Sequence, residues 1–524
     1  MKVWRLGTLL NKASLREILQ ARFANDTITS LSQLPKPDIF LNIDKAANRV
    51  KEAVQSNQKI VVVGDYDVDG VTSAAILTLF FESINVKHEV VLPNRFRDGY
   101  GLNPDIAKRA DAQLLITVDN GISAIAASEV CKSRNIDLII IDHHTVPEIL
   151  PHAYAIVHPH FSSLAQKNIS AGLVAWYFVG ALKQCFGVDF DMRQILDIAA
   201  LSTIADVMPL LDINRVIVKA GLDVFETSNR PYALAFKELI KQNRASSTDV
   251  AFKLAPRLNS AGRLEDASLA YEFLISKTVD EARARLAVLD ELNEQRKHIE
   301  KTVVAKASKL ASKESNAVVV WGEAWNEGVI GIVASRLVQE FRVPAFVISI
   351  NNEEAKGSAR APKGYDLYSM MKEHESIFTK FGGHKLAAGF SLKTANIEDF
   401  AHKINLSSQQ TEDAPPFALG ELIANELDLE LLDLISHFEP FGEGNTRPIF
   451  ITNSAKVAKV MQVGKSIKYT KLVVEISQKS FEILQREDEP SFSVGQSLNF
   501  AYSPAKNEFN GKVSIQLRME RIFK

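Results

Sequence analysis

The sequence predicts an α/β protein with a doubly wound parallel sheet, a long connecting helix, a smaller second α/β domain and a small C-terminal β-barrel. Three observations carry this. From Lys59, short β-branched runs alternate with helical patterns, which is how βαβ units and a buried parallel sheet read. Between Leu264 and Gly322 there is no Gly or Pro, as in a long rod-like helix. The last hundred or so residues hold short alternating strands, which suit a small antiparallel barrel.

Residues 1–45 hold short helical pieces broken at Pro35 and Pro37 and form an N-terminal lead-in. Residues 46–235 make the first domain. Its predicted strands are Lys59–Gly64, Glu89–Leu92, Leu114–Val118 and Leu138–Ile141, with helices at Val71–Ile84, Pro104–Ala110 and Ser123–Lys132 between them. Residues 236–315 form a helical connector, in which Thr278 and Glu281 have capping-box spacing. The second α/β domain, 316–407, is predicted from a strand Ala317–Trp321, a helix near Ile330–Phe341, a strand Ala345–Ile350 and the Gly-rich stretch Gly382–Gly389. Residues 406–416 read as a linker closing in Pro415-Pro416, and 417–524 as the barrel, with strands such as Ile467–Ile476 and Lys512–Leu517.

At 524 residues, 46% apolar and 24% charged, the chain has the composition of an ordinary globular protein of about three or four domains. A net charge of -2 supplies no overall field for a polyanion, so any nucleic-acid binding must come from locally sorted charge. Two cysteines, Cys131 and Cys185, point to a reducing cytoplasm and core roles. Met1–Leu10 lacks a secretory apolar stretch and Leu173–Leu182 is too short to span a bilayer, so a cytoplasmic protein without membrane attachment is expected.

In an open parallel sheet, ligands bind at the carboxyl ends of the strands. Here the first predicted strand ends in Gly64-Asp65-Tyr66-Asp67-Val68-Asp69-Gly70, the third in Asp119-Asn120-Gly121 and the fourth in Asp142-His143-His144; Asp206 follows an apolar helix. One Asp-x-Asp loop alone would usually be a turn or a helix cap. Carboxylates crowded at strand ends repel one another unless a cation neutralises them, so a divalent metal centre is expected. Mixed carboxylate and imidazole donors suit Mn²⁺, with Mg²⁺ as the harder alternative. Two ions at ~3.5 to 4 Å could together act on a phosphodiester.

The order and spacing of Asp65-Tyr66-Asp67-Val68-Asp69-Gly70, Val118-Asp119-Asn120-Gly121 and Asp142-His143-His144 resemble the signature of the DHH phosphoesterase superfamily. The resemblance implies metal ligation by Asp67, Asp69, Asp119, His143 and Asp206. Asp65 and Asp142 would support them by holding the loop and orienting imidazole, and His144 would face the scissile phosphate.

Further segments resemble the single-strand-DNA exonucleases of that superfamily from about residue 45 to the end. They include Pro256 to Arg263, Trp325 to Arg336, Gly382-Gly383-His384 with Ala387-Ala388-Gly389, and Pro440 to Asn445. The two C-terminal regions then correspond to a DHHA1 domain and an OB-fold-like barrel. The implied activity is 5′→3′ hydrolysis of single-stranded DNA to 5′-mononucleotides, in DNA recombination and repair. A single-strand-binding protein and a helicase would be partners, and the enzyme a monomer.

Arg95, Arg263, Ser358 and Arg360 are the implied terminal-phosphate pocket, suited to it because a guanidinium donates two parallel hydrogen bonds; His384 would contact phosphate. For Arg97 and Arg257 an ordinary salt bridge is an open alternative. Asn326 and Ala361 depart from the family pattern. Phe492, Phe500, Tyr502 and Phe509 are either stacking platforms or core. His158 and His160 read as a surface loop. Two rival functions are a nanoRNase or cyclic-dinucleotide phosphodiesterase, which would not need the barrel, and a non-catalytic structural subunit, which would not need the ligands.

Overall fold

The computed structural model describes residues 9–312, 315–407, 418–463, 469–486, 492–509 and 511–523. Residue contacts divide the chain into two units: Leu34–Met208 with Ala220–Ala414, and Met1–Gln33 with Pro209–Lys219 and Pro415–Lys524.

The first of these units opens with a five-stranded, all-parallel sheet in the order Glu89–Val91, Ile60–Val63, Leu114–Val118, Asp137–Ile141, Ala155–Val157. Its three inner strands are rich in β-branched residues and buried, as parallel strands covered on both faces are, while the edge strand Glu89–Val91 is partly exposed. Val61, Val63, Leu115, Leu138 and Ile140 share one core with Ile106, Ala107, Ala127 and Cys131 of the helices Pro104–Arg109 and Ile125–Ser133. The almost wholly buried helices Val68–Ser83, Ala171–Phe186 and Leu196–Ala205 pack on one another. The fifth strand, only three residues long, was not expected from sequence.

The rod is a 32-residue helix, Val279–Leu310. Thr278 Oγ1 caps it by accepting the Glu281 N–H at 3.2 Å, while the Glu281 carboxylate accepts from Lys277 N–H at 3.0 Å, one residue earlier than a capping box requires. It packs against both the helix Ala255–Leu264 and the helix Glu327–Phe341 of the second α/β domain. That domain has a five-stranded sheet in the order Phe378–Gly383, Ala387–Lys393, Glu354–Arg360, Ala345–Asn351, Val318–Glu323, in which only the last pair is parallel.

In the other unit, Phe450–Val463 pairs with Tyr469–Ile476, that strand with Lys479–Arg486, then Lys512–Phe523, then Ser497–Phe509, which pairs back with Phe450–Val463. The pairings close into a circuit and are not all antiparallel: Lys479–Arg486 and Lys512–Phe523 run parallel. Leu9–Leu10 of the lead-in adds a parallel pairing to Glu421–Leu422, so this part of the lead-in belongs with C-terminal elements. Of the aromatic candidates, Phe500 and Tyr502 are buried core and Phe492 packs against that core. The Phe509 side chain, residues 408–416 of the expected linker, residues 467–468 of an expected strand and residues 1–8 lie outside the described residues. Among the described residues no helix is long and apolar enough to cross a membrane.

Candidate metal centre

The loops after the strands bring the acidic residues together. Asp67 caps the helix Val68–Ser83, accepting from Asp69 N–H at 3.0 Å and Gly70 N–H at 3.3 Å. Gly70 allows the loop to fold back on itself, since a Cβ there would lie 2.4 Å from Asp65 N. Asp69 accepts from Ala171 N–H at 2.8 Å and Gly172 N–H at 2.9 Å, at the start of a buried helix, and from Ser202 Oγ–H. Asp119 has left-handed backbone, φ +63°, which Asp tolerates better than most residues. Asn120 beside it donates to Val63 O at 3.0 Å and Val118 O at 2.9 Å, tying the first and third strands.

Asp142 is an organiser. One oxygen accepts from His143 N–H at 2.7 Å, His144 N–H at 3.1 Å and His144 Nδ1–H at 2.8 Å, and the other from Ile122 N–H at 2.9 Å. Asp206 ends the helix Leu196–Ala205; Val207 N–H and Met208 N–H then bond back to Ile204 O and Thr203 O at 3.2 and 3.1 Å. This Schellman pattern fixes where the Asp206 carboxylate points.

His143 Nε2 thereby lies 3.2 Å from Asp119 Oδ1, 3.5 Å from Asp69 Oδ2 and 3.6 Å from Asp206 Oδ2. Three overlapping donor sets have atoms within 4.8 Å of one another: Asp69, His143 and Asp206; Asp119, His143 and His144; Asp65, Asp67 and Asp119. Buried oxygens of Asp65, Asp119 and Asp206 lack any hydrogen-bond partner. Burial first, and neighbouring carboxylates second, push all three acids above the usual carboxylate range. Asp142 is equally buried and burial is the largest single influence on it, yet the His144 hydrogen bond and charge, the Ile122 N–H and His143 together draw it down to about 2, while His144 is held up to about 9 against its own burial. Orphaned oxygens, mutual repulsion and one facing imidazole are what a divalent cation would relieve, so the donor set fits Mn²⁺ or Mg²⁺.

His158 corrects the sequence expectation of a surface loop. It is 3% exposed, its Nδ1 accepts from His160 N–H at 3.0 Å, and its Nε2–H therefore donates to His144 O at 2.8 Å. The Asp-His-His turn is thus held from the side by the short fifth strand. Its place directly after Ala155–Val157 and the bond from His160 N–H aim this imidazole.

On the same unit, Arg95, Arg263 and Arg360 converge without a carboxylate partner among the described residues. Arg95 Nε–H donates to Gly262 O at 3.2 Å, Arg263 to Gly328 O at 2.9 Å, and Arg360 to Ser358 Oγ at 3.2 Å and Ala359 O at 2.8 Å. Burial, then Arg95 and Arg360, lower Arg263 to about 10. Gly331, near the start of Glu327–Phe341, leaves room for this group: a Cβ there would lie 3.0 Å from Ser358 Oγ and 3.1 Å from Arg360 Nη2. Guanidinium groups gathered in this way could hold an anion. Arg97 and Arg257 are instead paired, with Asp98 at 2.9 Å and Asp290 at 2.7 Å. His384 reaches the metal face, its Nδ1 3.2 Å from Thr145 Oγ1. Asn326 caps its helix through Gly328 N–H at 2.9 Å, and Ala361 N–H bonds to Leu386 O at 3.0 Å.

Three family models match the sequence: the DHH family N-terminal domain over residues 59–203, the DHHA1 domain over 313–407 and the RecJ OB domain over 420–521. The single-stranded-DNA-specific exonuclease RecJ of Haemophilus influenzae is 32% identical over 560 residues, covering 98% of this chain and 97% of that protein. The chain belongs to the RecJ family. The RecJ of Bacillus subtilis is 33% identical over 504 residues; the match covers 91% of this chain and 62% of the length of that RecJ. RecJ from Thermus thermophilus, crystallised with Mn²⁺, shares the fold at TM-score 0.84 and 27% identity, covering 98% of this chain and 76% of that one. The same RecJ crystallised with Mg²⁺ gives 0.79 at 26% identity, covering 98% and 75%.

Proposed function

We propose that this RecJ-family chain is a metal-dependent exonuclease specific for single-stranded DNA, cutting 5′→3′ and releasing 5′-mononucleotides. The observation that carries this is His143 Nε2 within 3.2 to 3.6 Å of three carboxylates. The unpaired Arg95, Arg263 and Arg360 add a separate anion site in the same unit. A lone phosphodiesterase centre needs only the first; an enzyme that starts from a strand end also needs somewhere to hold the terminal phosphate.

Asp67, Asp69, Asp119, His143 and Asp206 would hold Mn²⁺ or Mg²⁺ as two ions, with Asp65 adding an orphaned oxygen to the same cluster. Bound there, the metal supplies positive charge for the phosphodiester and makes a water nucleophilic at neutral pH. Asp142 orients His144 through its Nδ1, so that the imidazole faces the scissile phosphate. Arg95, Arg263, Arg360 and Ser358 hold the terminal phosphate, and His384 contacts the strand from the second α/β domain. The OB unit holds incoming strand.

Because such an enzyme acts on unwound strands, a helicase and a single-strand-binding protein are its expected partners, in recombination and repair in the cytoplasm, with the enzyme a monomer.

The test is digestion of 5′-labelled and 3′-labelled single strands beside their duplexes, with Mn²⁺, Mg²⁺ or EDTA, for wild type and His143→Ala. Early release of the 5′ label as mononucleotide, abolished by EDTA and by His143→Ala and absent on blunt duplex, is expected. Turnover of dinucleotides without degradation of long strands would replace this reading with a small-substrate phosphodiesterase.

A further inference from the structure

The turn that carries Asp65 and Asp67 also carries Tyr66, whose side chain faces the arginines. Its ring lies under Arg95, with Cζ 3.9 Å from the ring centroid, and meets Tyr100 edge-on at 6.1 Å. Its carbonyl lies so close to Gly262 that a Cβ there would come within 2.2 Å of it. Gly262 O is also the acceptor for Arg95 Nε–H, at 3.2 Å. The next residue, Arg263, packs on Gly328, where a Cβ would lie 2.1 Å from Arg263 O. Contacts therefore run without a gap from the metal-donor loop to the arginine group, and Tyr66 is the link that belongs to both.

We infer that Tyr66 is a positioning residue that sets the spacing between the cleavage centre and the pocket for the terminal phosphate. It thereby fixes how many nucleotides leave per cut. This rests on the exonuclease reading above. An arginine side chain has many rotamers, and an unstacked Arg95 could meet a phosphate at more than one distance from the metal donors. Stacking on Tyr66 while donating to Gly262 O leaves it one position, and one position means one register. The phenol hydroxyl has no part in this, so Phe should substitute and an aliphatic residue should not.

The experiment digests a single strand of about twenty thymidines, bearing either a 5′-phosphate or a 5′-hydroxyl, with the full-length protein and Mn²⁺. Product lengths are read by mass spectrometry for wild type, Tyr66→Phe and Tyr66→Leu. Wild type and Tyr66→Phe are expected to release mononucleotides. Tyr66→Leu is expected to release mono- and dinucleotides together and to lose about 3- to 30-fold of the preference for a 5′-phosphate, the range for a partly desolvated cation–π contact. Mn²⁺ affinity, measured by calorimetry on the same proteins, separates register from damage to the donors. Mixed products at unchanged Mn²⁺ affinity support the inference; mononucleotides alone with the wild-type 5′-phosphate preference overturn it. Should Tyr66→Leu not fold, Tyr66→Met keeps the bulk without an aromatic face and must give the same mixture; mononucleotides alone from that variant would equally overturn the inference. Failure of the wild type to degrade strands would instead sink the underlying exonuclease reading.

Discussion

Asp65, Asp119 and Asp206 keep their protons longer than ordinary carboxylates because burial and neighbouring charge disfavour the ionised form. A raised folded-state pKa contributes stability that is fully present below the ordinary carboxylate range near 4 and is lost as pH rises through the raised value. The metal-free protein should therefore lose stability between about pH 4 and pH 9 from Asp206, held up to about 9, and His144, also held up to about 9, adds a loss of the same sign above about pH 6.5. Asp142, drawn down to about 2, has the opposite sign, but its contribution changes only below about pH 4 and does not interfere. Metal must displace the extra protons, so binding of Mn²⁺ should release them. Calorimetric titration at one pH in buffers of different ionisation enthalpy should give binding heats that differ in proportion to the buffer. Identical heats in all buffers would mean that the three acids are already ionised without metal. The same titration on Asp142→Asn should give weaker Mn²⁺ binding, since an amide keeps only one of the two acceptor oxygens and either Ile122 N–H or the His143 and His144 donors must face an NH2 group.

At the scale of elements, the strands that carry the site were legible because parallel strands buried on both faces leave unbroken β-branched runs, as Leu114–Val118 does. The candidate donors other than Asp206 stood out because they follow those runs directly in the chain, whereas Asp206 ends a helix. What was not legible depends on pairings that sequence separation hides. Ala155–Val157 is too short to show a period, and with it went the role of His158. Leu9 pairs with Glu421, and the helix Ala255–Leu264 lies against both the metal loop and the helix Glu327–Phe341. That last contact yields a prediction whose sign opposes helix propensity. In a free helix Gly262→Ala would gain about 1 kcal/mol. Here its Cβ would meet the Tyr66 carbonyl at 2.2 Å, and backbone cannot swing aside as a side chain can. The substitution should cost about 1 to 3 kcal/mol, the range for overpacking, and weaken Mn²⁺ binding with it. Thermal unfolding and metal titration check both, and a gain in stability would show that the helix and loop separate freely.

At the scale of the whole molecule the residues divide into two units. One core gathers Leu10, Leu15 and Leu19 with Leu422, Phe450, Leu472, Phe500 and Leu517, all from the unit containing the OB strands. Every candidate metal donor lies in the other unit, as do Trp176, Trp321 and Trp325, three of the four tryptophans in the chain. A ligand that binds only the folded form stabilises what it binds, by about 2.7 kcal/mol at a hundred times its Kd. Mn²⁺ should therefore raise the unfolding temperature read by tryptophan fluorescence. A label on the OB strands, at the exposed Val513 replaced by cysteine, should shift less. Two domains need not unfold as one, and the difference between the probes measures whether they do. Equal shifts would mean that the two units unfold as one cooperative body. A shift confined to tryptophan would mean that metal ligation and the OB unit are thermodynamically independent, so that loss of metal would leave the OB unit folded.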